Sequence, residues 1–149
     1  MAEHRATIEW EGQGGFAENQ YSRAHVWRFD GGAVVPGSSS PHVVPVPMSD
    51  PAAVDPEEAL IASASACHML WFLHIARDAG FEVTRYRDEA LGRMAKDELG
   101  RTAITRIVLS PRIDFAGPAP DAPALERLHH EAHERCFIAN SLKSEIVVE

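Results

Sequence analysis

The dominant hydrophobic pattern in this chain is helical. From Asp55 the run Pro56-Glu57-Glu58-Ala59-Leu60-Ile61-Ala62-Ser63-Ala64-Ser65-Ala66-Cys67-His68-Met69-Leu70-Trp71 continues to about Ala79, with apolar or small residues on nearly every side. A helix of that kind is expected to be buried on most sides. Its ends are well marked. Asp55 suits the N-cap, Pro56 the first helical position, Glu58 completes a capping box, and Gly80 stands at C′. Ahead of it, residues 5–11 and 22–29 read as strands, with Gly12, Gly14 and Gly15 suited to a hairpin connection. Asp30-Gly31-Gly32 marks a turn. Residues 36–55 hold five prolines and Gly37-Ser38-Ser39-Ser40, which predicts a long irregular loop. Beyond the helix, residues 81–94 and 102–114 read as two strands around the turn at Lys96-Asp97-Glu98-Leu99-Gly100. A second helix is expected over 122–135, and 145–149 form a short last strand. The order of strands, long helix, strands, helix and strand argues for an α+β fold, with two helices packed on a mostly antiparallel sheet. Neither a repeat nor a boundary interrupts it, so a single domain over 1–149 is expected.

Composition narrows the partners. An apolar share of 45% suffices for an ordinary core, and a net charge of −8 argues against nucleic acid and anionic membranes. No run approaches the ~18 apolar residues of a membrane helix. Met1-Ala2-Glu3-His4-Arg5 has no apolar signal region, so a cytoplasmic location is the expectation. In a reducing compartment, two cysteines are by default plain buried thiols rather than a structural disulfide.

Those two, Cys67 and Cys136, nevertheless sit at landmarks. Cys67 lies mid-way along the long helix after a run of small residues, with Leu70, Trp71 and His74 on its face at spacings of three, four and seven. It reads either as a core thiol or as a nucleophile walled by Leu70 and Trp71. Cys136 closes the second helix. His129, His133 and Cys136 fall on one face there, a ligand set that zinc could use. Three ligands on successive turns of one helix span about 10 Å, however, which is too long to converge on one ion without bending. Gly12-Gln13-Gly14-Gly15 lacks the spacing and the lysine of a phosphate loop, and no serine stands in a nucleophile elbow.

Four pieces, taken in order, resemble one family. They are Tyr21-Ser22-Arg23-Ala24-His25, Asp55-Pro56-Glu57-Glu58, Cys67 ten residues after Glu57 among small residues, and Cys136-Phe137-Ile138-Ala139-Asn140-Ser141-Leu142 before the last strand. The set is similar to the osmotically inducible protein C and organic hydroperoxide resistance proteins. His68-Met69 after Cys67, and Phe137 after Cys136, depart from the commoner residues of that family. The resemblance implies an OsmC-like fold in an intertwined homodimer with two active sites at the interface. It implies a thiol peroxidase, free of metal and organic cofactor, that reduces organic hydroperoxides to alcohols at the expense of a dithiol reductant. Cys67 would attack the peroxide and Cys136 would resolve the resulting sulfenic acid. Arg23 would be the activating cation and Glu57 its carboxylate partner, with Leu70, Trp71 and Phe137 around the substrate. A binding protein of the same fold, holding a small molecule or a metal without turnover, is the alternative. Glu57 and Cys67 are separated by about 15 Å of helix rise, so a shared site is expected to take Glu57 from the other chain.

Overall fold

The computed structural model describes residues 1–149, which divide into two compact units, Met1–Ala59 and Leu60–Glu149. In the first unit, β1 (Ala6–Glu9), β2 (His25–Phe29) and β3 (Val34–Gly37) form an antiparallel meander. The Asp30-Gly31-Gly32 turn joins β2 to β3. Gly32 there adopts φ 95°, and its N–H donates to the Phe29 carbonyl at 3.0 Å. Strand β3 overlaps the stretch expected to be loop. Pro36 is tolerated because β3 is the edge strand of the meander, and on its outer side Pro36 only accepts, from Val54 N at 3.0 Å. The rest of that stretch is ordered by buried hydroxyls. Ser38 Oγ accepts from Asp50 N at 2.9 Å, and Ser40 Oγ accepts from His42 N at 3.1 Å.

Helix α1 (Pro56–Asp78) starts as its capping box dictates. Asp55 Oδ1 accepts from Glu58 N at 2.8 Å, and Glu58 Oε2 accepts from Asp55 N at 3.4 Å. It stops at Gly80, which has φ 87°, with Phe81 N–H returning to the Ala76 carbonyl at 2.9 Å.

In the second unit the two long strands expected after the helix are each broken in two. They form β4 (Glu82–Asp88) and β5 (Leu91–Lys96), then β6 (Thr102–Leu109) and β7 (Pro111–Ala116). Strand β4 pairs with β7, and β5 with β6, all antiparallel. The break has a chemical cause. Pro111 has no N–H to give, and the Ser110 N–H is taken by Asp88 Oδ1 at 2.7 Å. Asp88 Oδ2 accepts from Ser65 Oγ on α1, so one carboxylate ties the break to the helix. Helix α2 (Ala122–Arg135) is capped by Asp121, whose Oδ1 accepts from Ala124 N at 2.9 Å. A 3-10 turn (Ala139–Ser141) follows, and β8 (Glu145–Val148) joins β6 in the one parallel pair. The fold is therefore α+β with mostly antiparallel sheets, as the element order predicts.

Two apolar clusters hold this unit together. Phe72, Ile75 and Ala76 of α1 meet Leu128 and Ala132 of α2, with Val83, Tyr86, Ile113 and Phe115 of β4 and β7 against them. Ala64 of α1 meets Ile107 and Leu109 of β6, with Ile61, Ile146 and Val148 packed against them. By length and mean hydropathy α1 would pass for a membrane span, against the expectation from the sequence. Its alanines raise the average without supplying a continuous run of large apolar side chains. Nor is α1 buried on most sides. Ala62, Ala66 and Leu70, one turn apart, stay exposed, Leu70 at 62%.

Candidate functional site

The second unit brings both cysteines together. Cys67 faces outward from the middle of α1 and is half-buried. Cys136 is the C-cap of α2, where the backbone turns extended at φ −67°, ψ 110° and the helix ends. Its side chain is fully buried. Burial is the larger reason that the Cys136 thiol is pushed up to about 11, and its hydrogen bond with Cys67 acts in the same direction. The Ala139 and Ile138 N–H groups, the former donating to Cys136 Sγ at 3.4 Å, pull the other way and are outweighed. Cys136 therefore keeps its proton at neutral pH.

Above Cys67 opens a concavity of about 330 Å³ lined by Leu70, Trp71, His74 and Phe137. The three pocket residues expected from the sequence all lie there. Trp71 meets Phe137 edge to face, with ring centroids 5.5 Å apart, and meets His74 at 5.8 Å. Phe137 is 69% exposed, so the wall is apolar but open. Arg135 was not anticipated. Its guanidinium carbon lies 5.6 Å from the Trp71 ring centroid, steadied by an ion pair with Glu131 at 2.8 Å. The signal for it was present in the sequence, since a cation in the last turn of a helix is favoured by the helix dipole.

Behind the cysteines lies a buried polar pair. His68 of α1 and His129 of α2 join through Nε2 and Nδ1 at 3.0 Å, with rings nearly parallel. Burial first, then His129 and His133, hold the His68 imidazole down to about 4. Burial also lowers His129, which Asp88 partly opposes. The helical face read as a possible zinc site is thus otherwise engaged. His129 is bonded to His68, and no group of three or more histidine, cysteine or acidic side chains is placed to hold a metal ion.

Arg23 and Glu57 belong to the first unit. Arg23 Nη1 donates to the Tyr21 carbonyl at 2.6 Å and Nη2 to Asn19 Oδ1 at 2.8 Å. The guanidinium carbon lies over the Tyr21 ring, 3.5 Å from its centroid. It borders a second concavity of about 360 Å³ that Trp10, Phe16 and Tyr21 make aromatic, a cluster with no signal in the strand pattern of the sequence. Arg23 makes no ion pair within the chain. The Arg23–Glu57 pair implied by the resemblance is not formed here, because Tyr21 and Asn19 hold the guanidinium. Glu57, in the first turn of α1, has its Oε2 buried without a hydrogen-bond partner. A buried carboxylate oxygen left unpaired is costly, and calls for a donor.

Residues 49–149 match the family model of OsmC-like proteins. An OsmC-like protein of unknown function from Vibrio cholerae is 50% identical, with a TM-score of 0.97 over 100% of this chain and 99% of that one. An organic hydroperoxide resistance protein from Elizabethkingia anophelis is 18% identical, with a TM-score of 0.70 over 99% and 93% of the two chains. An organic hydroperoxide resistance protein from Legionella pneumophila is 15% identical, with a TM-score of 0.64 over 100% and 96%. At those lower identities the likeness is one of fold. No curated protein matches the chain. The family model over two-thirds of the chain and the half-identical neighbour over all of it place this protein in the OsmC-like family.

Proposed function

We propose that this protein is a thiol peroxidase that reduces organic hydroperoxides to alcohols. The observation that carries the reading is the nearness of its only two thiols, Cys67 lining an apolar concavity and Cys136 buried beside it. The Cys67 thiolate attacks the outer oxygen of R–O–OH. The O–O bond breaks, the alkoxide leaves and takes up a proton as ROH, and Cys67 becomes a sulfenic acid. The Cys136 sulfur then attacks the Cys67 sulfur, and its thiol proton leaves with the hydroxyl as water. The result is a Cys67–Cys136 disulfide, which protects Cys67 from further oxidation. An external dithiol reduces that disulfide, becoming a disulfide itself. Leu70, Trp71 and Phe137 favour substrates with an apolar body.

The assembly we propose is a two-fold homodimer in which Arg23 and Glu57 of one chain complete the Cys67 site of the other. Three observations support it. The Glu57 carboxylate has an unpaired buried oxygen, Arg23 has no carboxylate partner, and Ala62, Ala66 and Leu70 form an exposed stripe on which a second helix could pack closely. Arg stays charged and offers several donors at once, which suits a thiolate and a peroxide oxygen together.

Consumption of cumene hydroperoxide with dithiothreitol as reductant tests the activity. Wild type should turn over, Cys67→Ser should not, and equal rates for the two would overturn the reading. Mixed dimers of Cys67→Ser and Glu57→Ala chains test the sharing. A site shared between chains leaves one of the two sites intact. A site built within one chain damages both, and activity would fall to the level of the single variants.

A further inference from the structure

The His68–His129 pair has no role in the chemistry above, yet it joins the same two helices as the cysteines. His68 follows Cys67 directly on α1, and His129 lies seven residues before Cys136 on α2. Both are buried, at 1% and 9% exposure, in a core that is otherwise apolar. Theirs is the only side-chain hydrogen bond between α1 and α2. The surroundings fix the rings. Phe72 of α1 stacks on His129 at 4.5 Å between centroids, and Tyr86 of β4 packs on Phe72 at 5.7 Å. The titratable groups facing the pair are His133 on α2 and Asp88 on β4, with Tyr86 beside Phe72.

On the reading of Cys67 and Cys136 as a working pair, we propose that His68 and His129 are positioning residues for the resolving step. Their hydrogen bond holds α2 at the crossing angle that keeps Cys136 within reach of Cys67. Apolar contacts alone tolerate re-packing, whereas a buried hydrogen bond has one donor, one acceptor and a preferred direction. Leaving either imidazole unpaired in the core is unfavourable, so a shift that breaks the bond is resisted. Seven residues of helix put Cys136 about 10 Å from this anchor. A swing of ~10° about His129 would therefore move the cysteine by roughly 2 Å, comparable with the whole width of the Cα–Cα window in which a disulfide closes. The peroxide-attacking sulfur sits on α1 and does not depend on that angle. Loss of the pair should therefore slow disulfide formation and leave peroxide attack alone.

The test is a single-turnover experiment on the reduced full-length protein with one equivalent of cumene hydroperoxide. Cys67 sulfenic acid is trapped with dimedone, and the disulfide is counted by mass spectrometry. His129→Leu should attack peroxide at the wild-type rate. It should close the disulfide at least about tenfold more slowly, since a displacement near 1 Å costs up to roughly 100-fold in a reacting pair. His129→Asn, whose amide falls where Nδ1 lies, should restore closure. His68→Gln, whose amide falls where Nε2 lies, should close like wild type, and His68→Leu should not. Should the leucine variants fail to fold, His129→Gln takes their place, because its longer amide misses the Nδ1 position. Wild-type closure in His129→Leu, or equal slowing of both steps, would overturn the proposal. A second arm separates this proposal from the peroxidase reading, with diamide driving disulfide closure in place of peroxide. If wild type consumes no peroxide, the peroxidase reading fails. The ranking of wild type and His129→Asn over His129→Leu with diamide still decides the positioning role.

Discussion

Lowering the pH should destabilise the fold through His68 before the bulk of the carboxylates protonate. In the folded protein, burial and the neighbouring His129 and His133 hold the His68 imidazole at about 4, against an ordinary 6.5. As pH falls below 6.5 the unfolded chain takes up a proton on this residue, while the folded chain refuses it until about 4. The unfolded state binds more protons across that window. The stabilisation is therefore complete above pH 6.5 and is lost as pH falls towards 4. A gap between 6.5 and about 4 corresponds to roughly 3 kcal/mol, a large fraction of a typical domain stability of about 5–15 kcal/mol. His129, lowered mainly by its burial, adds to the slope with the same sign. The assay is urea denaturation of wild type and His68→Gln at one fixed protein concentration, repeated from pH 7.5 downward. Subtracting the two series cancels the carboxylates common to both. The difference should fall steadily between pH 6.5 and 4. A flat difference, or an NMR titration placing the His68 ring near its ordinary value, would refute the burial argument.

Three further outcomes follow from packing, exposure and capping. Phe72→Ala, at a fully buried position between Tyr86 and His129, should cost about 3–5 kcal/mol in urea denaturation, and Phe72→Leu much less. Brief iodoacetamide treatment near pH 8 should label Cys67 and spare Cys136, because Cys136 is inaccessible and its thiol is pushed up to about 11; prior labelling of Cys136 by peptide mass spectrometry would contradict this. Asp55→Ala should lower stability by about 1 kcal/mol through loss of the α1 cap, and Asp55→Asn by distinctly less, with thermal unfolding followed by circular dichroism as the check.

The sequence carried the helices well, because their signals are local. Asp55 with Glu58 and the positive-φ Gly80 mark the ends of α1 without help from the rest of the chain. Strand limits were harder to read, since they depend on pairing. Pro36 looks like a loop residue until β3 is known to be an edge strand, and nothing near residue 88 announces that its carboxylate will take the Ser110 N–H. Pro111 was the one local hint of that break. For the site, the grouping of Cys67 with Leu70 and Trp71 was legible from helical spacing. The meeting of Cys67 with Cys136 was not, because it depends on how two helices cross; only resemblance to a family suggested it. The helical pattern puts His129 on one face with His133 and Cys136, whereas its partner in the fold is His68. A histidine 61 residues away on another helix leaves no trace in a face pattern. The exposed stripe of α1 ran against its composition, since small residues mark close approach without saying which chain approaches.

The reading of Cys67 and Cys136 as one redox pair is tested most directly by adding one equivalent of an organic hydroperoxide to the reduced protein with no reductant present. Free thiols are then counted and the cross-linked peptides identified by mass spectrometry. The expected result is loss of both thiols of each chain, with the alcohol formed and Cys67 joined to Cys136 within that chain. Unconsumed peroxide with both thiols intact, or an oxidised Cys67 beside a persistently free Cys136, would contradict it.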